Sequence, residues 1–299
     1  MGECMVNKIQ VKSVLNKHKK RDSWFLDDYS VNPYSGCSFN CRYCYIKGSK
    51  YGEKITKTVS AKINASEILE KQLSRRAKRG EYGIIALSSA TEPYMAIEEE
   101  LGITRELLGI ILKYKFPVEI ATKSKLVLRD LDLLKEIDKS AILPCDLKPK
   151  LKHGTIISFS LSTLDNKLAK VLEPGAPKPI ERLETVEKCK DEGFFVGINY
   201  IPVLPFISDS KEQLNEMIKV AEEYGADFVF VGGLTLFGNG SAGCKKSYYS
   251  FLEKYYPELI PKYESLYRNY FAPSVAYQKR LEKEVKEICK RYRIRNGLL

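Results

Sequence analysis

Apolar positions run nearly unbroken through five short stretches: GIIALSS (83–89), VEIATKS (118–124), TIISFSLS (155–162), FVGINYIP (195–202) and DFVFVGG (227–233). Each is rich in Ile, Val and Phe, the pattern of parallel strands covered on both faces. A sixth run lies near residues 29–34. Between the runs the period changes to that of amphipathic helices. ASEILEKQLSRRAKR follows Asn64, a residue type suited to cap a helix. TRELLGIILKYK (104–115), RDLDLLKEIDK (129–139), IERLETVEKCKDEG (180–193) and KEQLNEMIKVAEEYG (211–225) come next. Gly193 and Gly225 close the last two, where a left-handed residue ends a helix well. The alternation predicts an α/β fold of six β-α units, either a doubly wound sheet or part of a β/α barrel; periodicity does not separate the two. In both, the loops after the strands carry the site. Those loops are polar here: SSATEPY, TKSK, SLSTLD and NYIPVLP. Residues 244–299 read as a helical, tyrosine-rich appendage.

The bulk numbers narrow the setting. A chain of 299 residues can bury the core of an α/β barrel, and 44% apolar with 29% charged residues is ordinary for a globular protein. No window approaches 18 apolar residues, so no membrane span is expected, and no apolar leader opens the chain. A cytoplasmic location is the expectation. A net charge of +11 favours acidic partners: nucleic acid, a phosphorylated substrate or an acidic electron carrier. NKHKKR (16–21) and KRLEKEVKEICKRYRIR (279–295) hold much of it, although a Lys/Glu-rich helix is equally a solvated face. No zinc-finger or RNP motif accompanies them.

The chemistry concentrates in NPYSGCSFNCRYCYIKG (32–48), which places Cys37, Cys41 and Cys44 within eight positions. The other cysteines, Cys4, Cys145, Cys189, Cys244 and Cys289, are scattered and read as single thiols. Three thiolates can hold three irons of a cubane iron–sulfur cluster and leave the fourth open to a ligand. Asn32-Pro33 and Gly36 supply the turn that a loop around such a cluster needs. Zinc is the rival, but it requires a fourth ligand, and neither His18 nor His153 lies at finger spacing.

C-x3-C-x2-C with an aromatic before the last cysteine resembles the signature of the radical S-adenosylmethionine (SAM) superfamily. NPYSGCSFNCRYCY, SSATEPYMAIEEELGITRELL, ATKSKLVLRDLDLL and LSTLDNKLAKVLEPGAPKPIERLETV, in that order, resemble its spore photoproduct lyase-related branch, the "DNA repair photolyase" type. The likeness spans roughly residues 8–245. It implies a partial (β/α)6 TIM-type barrel over 29–243, a basic N-terminal extension at 1–28 and a C-terminal helical region at 244–299.

The resemblance also implies a [4Fe-4S] cluster on Cys37, Cys41 and Cys44, reductive cleavage of SAM, and a 5′-deoxyadenosyl radical that abstracts hydrogen from a substrate. It places Thr91 and Glu92 at the SAM methionine moiety, Lys123 at its carboxylate, and Ser160, Ser162 and Asn199 toward the ribose. It implies an external one-electron donor of ferredoxin or flavodoxin type, and DNA or RNA as partner. Tyr43 and Tyr45 match tyrosines that accompany the lyase's hydrogen-donating cysteine, but Ser89 stands where that cysteine would be. An O–H bond is much stronger than an S–H bond, so Ser89 is a poor hydrogen donor in its place. Cys145, after the third β-α unit, is the thiol that could reach the active face from another direction.

Other expectations are a radical SAM enzyme acting on a protein or peptide, and a nucleic-acid-binding protein with a purely structural metal site. GNGSAG (238–243) has the form G-x-G-x-x-G but lacks a following strand, and reads as a loop over the barrel mouth. Glu98, Glu99 and Glu100 read as dipole-favoured residues at a helix start.

Overall fold

The computed structural model describes residues 6–49, 52, 58–238, 240, 243–268 and 270–299. Cys4, and Asn239, Ser241 and Ala242 of the GNGSAG loop, lie outside the described residues.

The chain opens with β1 (Asn7–Ile9), β2 (Leu15–Lys17), β3 (Asp27–Val31), β4 (Tyr34–Ser35), β5 (Ser60–Lys62) and α1 (Ala65–Lys78). It continues with β6 (Ile84–Leu87), α2 (Ile97–Leu101), α3 (Ile103–Lys113), β7 (Val118–Thr122), a 3-10 turn at Lys125–Asp130 and α4 (Leu131–Ser140). Then come β8 (Thr155–Ser160), α5 (Asn166–Leu172), α6 (Pro179–Asp191), β9 (Phe195–Val203), α7 (Lys211–Glu223) and β10 (Phe228–Gly233). α8 (Cys244–Tyr255), α9 (Ile260–Leu266) and α10 (Val275–Tyr292) complete it.

The main sheet has the order β10-β9-β8-β7-β6-β3-β2. It is parallel from β10 to β3, and β2 joins β3 antiparallel. The order follows the chain without the reversal that defines a doubly wound sheet. That resolves the alternative left open by periodicity: the fold is a partial TIM-type barrel. β2 and β10 are its two ends, and a lateral seam lies between them. β1, β5 and β4 form a separate small sheet.

Alternate strand residues feed two cores, as a period of two requires. Ile85 and Leu87 of β6 point outward into the main core with Leu69, Leu73, Leu107 and Leu108 of the helices. Ile84, Ile156, Phe195, Phe228 and Phe230 close the floor inside the barrel with Leu26 and Leu147. Higher inward positions are small or polar, including Ala86, Ala121, Ser158, Gly197 and Asn199, so the mouth is left open.

α10 packs on α7 and β10, and a bridge pairs Phe228 with Arg295. A further cluster joins α8 and α9 to the cysteine loop through Phe39, Cys41, Tyr43, Tyr248, Phe251, Tyr263 and Tyr267. Among the described residues no helix is long and apolar enough to cross a membrane.

Two local expectations are corrected. Asn64 makes no side-chain cap; its amide instead bridges the Val11 backbone, accepting from N at 2.9 Å and donating to O at 3.0 Å. Glu98 is not a solvated helix-start residue. It is fully buried, accepting from Tyr34, from Thr104 N at 2.9 Å and from Arg129 at 2.7 Å. Short or polar elements (β1, β2, β5, α2, α5) gave the pattern too little to show.

Candidate active site

The cysteine loop starts at Gly36, whose φ of +81° is the left-handed region that favours glycine. The Thr91 hydroxyl donates to the Gly36 carbonyl and so ties the loop to the end of β6. From the other side the segment after α5 clamps it. Arg42 N donates to Leu172 O at 2.8 Å, Arg42 Nε to Val171 O at 2.8 Å, and Gly175 N to Phe39 O at 3.1 Å. Gly175 is required here: a Cβ on it would stand 2.4 Å from Ser38 O and 2.8 Å from Phe39 Cα. α8 gives a third anchor, with Cys244 N donating to Lys47 O at 3.1 Å.

Held this way, Cys41 is buried and Cys37 and Cys44 are half-buried, all three as free thiols. Burial, and then the nearby Glu92 carboxylate, pushes the Cys37 thiol up to about 11. Burial raises Cys41 as well, while Lys123 opposes it. Each of these two thiols feels the charge of Cys44, so the sulfurs share one neighbourhood. Among the described residues, no three Cys, His, Asp or Glu side chains converge as ligands of one ion. Thiolates that each hold a different iron stand further apart than that.

Glu92 lies beneath the loop. Its carboxylate accepts from Tyr94 N and Lys123 N, both at 3.1 Å, and from the Thr122 hydroxyl. Burial raises its pKa against those bonds. Thr91 and Glu92 therefore act first on the chain itself, fixing the loop and the ends of β6 and β7. The Lys123 ammonium has no ion pair or hydrogen bond among the described residues, and it is half-buried beside Cys37 and Cys41.

The sequence reading missed a buried pair under the loop, Glu173 with Arg182. Both are about 1% exposed. Glu173 also accepts from the Tyr43 hydroxyl and from Ser162 Oγ at 3.2 Å. Arg182 further donates to Ser160 O at 2.8 Å and to Pro177 O. Burial raises the Glu173 pKa and Arg182 opposes it. Tyr43 and Ser162, expected at the reaction centre and the ribose, are thus committed to this network. LEPGAP (172–177), with a lone Glu before Pro-Gly, was the available signal.

Tyr45 is 48% exposed, and its hydroxyl donates to the carbonyl of Ser89 at 2.7 Å. The two positions that the lyase resemblance links are therefore in contact. Ser160 faces the mouth half-buried. Asn199 donates to Ser158 Oγ at 2.7 Å, while its Oδ1 is buried without a partner among the described residues. Ser88 Oγ, at the end of β6, is a second such atom. Cys145 is corrected: it is exposed on the segment that leads into β8, beside Asp146, which pairs with Arg21, and Leu147, which packs in the barrel floor. That is the end of the barrel where the strands begin, opposite their C-terminal ends, so Cys145 lies away from the mouth.

The family model described as the radical SAM superfamily matches residues 31–221. The chain belongs to the radical SAM superfamily. It is a radical SAM enzyme, and such enzymes use a [4Fe-4S] cluster and SAM and draw on an external electron donor. An uncharacterized protein of Mycobacterium tuberculosis is 29% identical over 275 residues, covering 89% of this chain and 75% of its own. A radical SAM Nalpha-GlyT isomerase of Pseudomonas phage M6 is 24% identical over 185 residues, covering 61% and 35%. A cysteine-to-serine mutant of spore photoproduct lyase superposes with a TM-score of 0.71 at 14% identity, over 95% of this chain and 78% of that one. A form of that lyase with bound AdoMet and a dinucleoside spore photoproduct gives 0.70 at 15%, over 96% and 79%.

The donor set fits the radical SAM cofactors: three neighbouring thiols and, among the described residues, an unpaired ammonium and two orphaned buried polar atoms at inward strand ends.

Proposed function

We propose that this enzyme abstracts hydrogen from a nucleotide unit of a nucleic acid presented at the barrel mouth. One observation carries the reading: the chain keeps the spore photoproduct lyase fold over 95–96% of its length, and that lyase has been solved holding a dinucleoside. The net charge of +11 supports a polyanionic substrate.

In this reading Cys37, Cys41 and Cys44 would hold the cluster, and Lys123 would pair with the SAM carboxylate as a fixed point charge. Ser160 and Asn199 would meet the ribose. When bound, the cluster supplies one electron and SAM the carbon radical that takes hydrogen from the substrate. Tyr45, whose hydroxyl donates to Ser89 O, would pass hydrogen, whereas Tyr43 would position the loop through Glu173. Ser89 gives no thiol hydrogen, so any hydrogen returned to a substrate radical would come from another group than in a lyase relying on such a thiol. A ferredoxin- or flavodoxin-like carrier would deliver the electron.

The test is isotope transfer. Anaerobic enzyme, reduced in the presence of SAM, is given oligonucleotides deuterated in the sugar or the thymine methyl group. Deuterium is expected in 5′-deoxyadenosine. Deuterium arriving only from a peptide pool would replace this reading with a peptide substrate.

A further inference from the structure

The hairpin between β2 and β3 bridges the lower part of the seam. It is held firmly: Arg21 pairs with Asp28 at 3.0 Å and with Asp146, and Asp22 Oδ1 accepts from Trp24 N at 2.8 Å and Phe25 N at 2.9 Å. This turn lays the Trp24 indole parallel to the Phe230 ring, with 2° between the planes and 6.0 Å between centroids. Gly232 makes room for it, since a Cβ there would meet Trp24 Cζ3 at 3.1 Å. Trp24 nevertheless stays 45% exposed. Next to it is a cavity of about 340 Å³, walled by Trp24 and Phe230, the backbone of Gly232 and Gly233, and the amides of Gln278 and Asn296. Among the described residues that line it, Glu282 is the one acidic side chain and none is basic. The same hairpin carries Lys17, Lys19 and Lys20, exposed and without an ion pair among the described residues.

An indole face, the Asn296 amide with the Oε1 of Gln278 (its Nε2 donates to Pro273 O at 2.7 Å), and lysines on the same hairpin are parts with which single-stranded nucleic acid is bound. We infer that this seam cavity takes an unstacked nucleobase on Trp24, with Lys17, Lys19 and Lys20 holding the adjoining phosphates. The inference rests on the proposed nucleic-acid substrate and adds a site to it, away from the cysteine loop. The cavity is large enough for a small ligand such as a base, at the lower end of the usual range of about 300–1,000 Å³.

Trp24 is the only tryptophan in the chain, so intrinsic emission reports this site alone. The enzyme is titrated with a fluorescein-labelled single-stranded deoxyoligonucleotide while anisotropy and tryptophan emission are followed together. Quenching should saturate with the anisotropy change. Trp24→Ala should weaken binding about tenfold, as loss of one stacked base does. Lys17→Gln, Lys19→Gln and Lys20→Gln combined should lower the salt slope by about two to three. If the oligonucleotide binds but leaves the emission unchanged, and Trp24→Ala binds equally well, the base site is wrong and the nucleic-acid reading stands. Absence of any binding at low salt overturns both. Wild-type emission decides even if the alanine variant fails to fold.

Discussion

Glu119 shows what a run of apolar letters can conceal. VEIATKS reads as a buried strand, and it is one, yet Glu119 sits in it 3% exposed. Its carboxylate accepts from Ser158 Oγ at 3.1 Å, and that oxygen in turn accepts from Asn199. Burial, then the charge of Asp27, pushes the Glu119 pKa up to about 8. An unfolded glutamate titrates near 4.5. Between these values the unfolded chain has released its proton while the folded one keeps it. Stability from this group is therefore complete below pH about 4.5 and is lost as pH rises toward 8, by about 1.4 kcal/mol per unit. Glu119→Gln should flatten that slope, so denaturant midpoints at pH 5 and pH 8 should lie closer together than in the wild type. Equal slopes would show that Glu119 ionises normally. Lys123 makes the complementary case, a cation with no ion pair or hydrogen bond among the described residues. Lys123→Met should leave iron content unchanged and weaken SAM binding roughly tenfold to a hundredfold, the worth of a charge-assisted hydrogen bond. Unchanged affinity by equilibrium dialysis would remove it from the SAM site.

At the scale of elements, the cysteine loop was legible and its clamp was not. Three thiols at short spacing announce themselves chemically, and strand and helix periods place the loop after the first barrel strand. Glu173 and Arg182 carry no period and no motif spacing. They matter because the chain's path brings the α5–α6 connection against residues 38–42, a tertiary event that a local pattern does not encode. The same holds for β2, whose three residues say little until they are seen paired with β3. The clamp makes two predictions. Gly175→Ala must displace Ser38 and Phe39, so reconstituted protein should hold clearly less iron and sulfide per chain while its far-ultraviolet dichroism stays near wild type. Arg182→Ala leaves Glu173 buried without its cation, which should cost about 3–5 kcal/mol in unfolding free energy. A wild-type midpoint for Arg182→Ala would mean that water already satisfies Glu173.

For the whole molecule, the question is whether residues 244–299 are an appendage or part of the machine. The cluster that supports the cysteine loop answers through its membership: Phe39, Cys41 and Tyr43 come from the loop, Leu172 and Leu204 from the barrel, and Tyr248, Phe251, Tyr263 and Tyr267 from beyond residue 243. Its polar groups are internally matched. Tyr263 donates to Pro205 O at 2.6 Å and lies 2.9 Å from the Tyr248 hydroxyl, and Tyr267 donates to Leu234 O at 2.8 Å. Removing 244–299 would uncover several large apolar side chains, each worth about 1.5–3 kcal/mol when buried. It would also strip α10 from α7 and β10. The sum is comparable with the usual 5–15 kcal/mol total stability of a domain. A chain ending at Gly243 should therefore fail to hold a cluster and should aggregate when expressed, while the full chain unfolds in one transition with loop and barrel lost together. A shortened chain that remained monomeric and took up iron and sulfide as fully as the intact one would show that the loop is braced by the barrel alone.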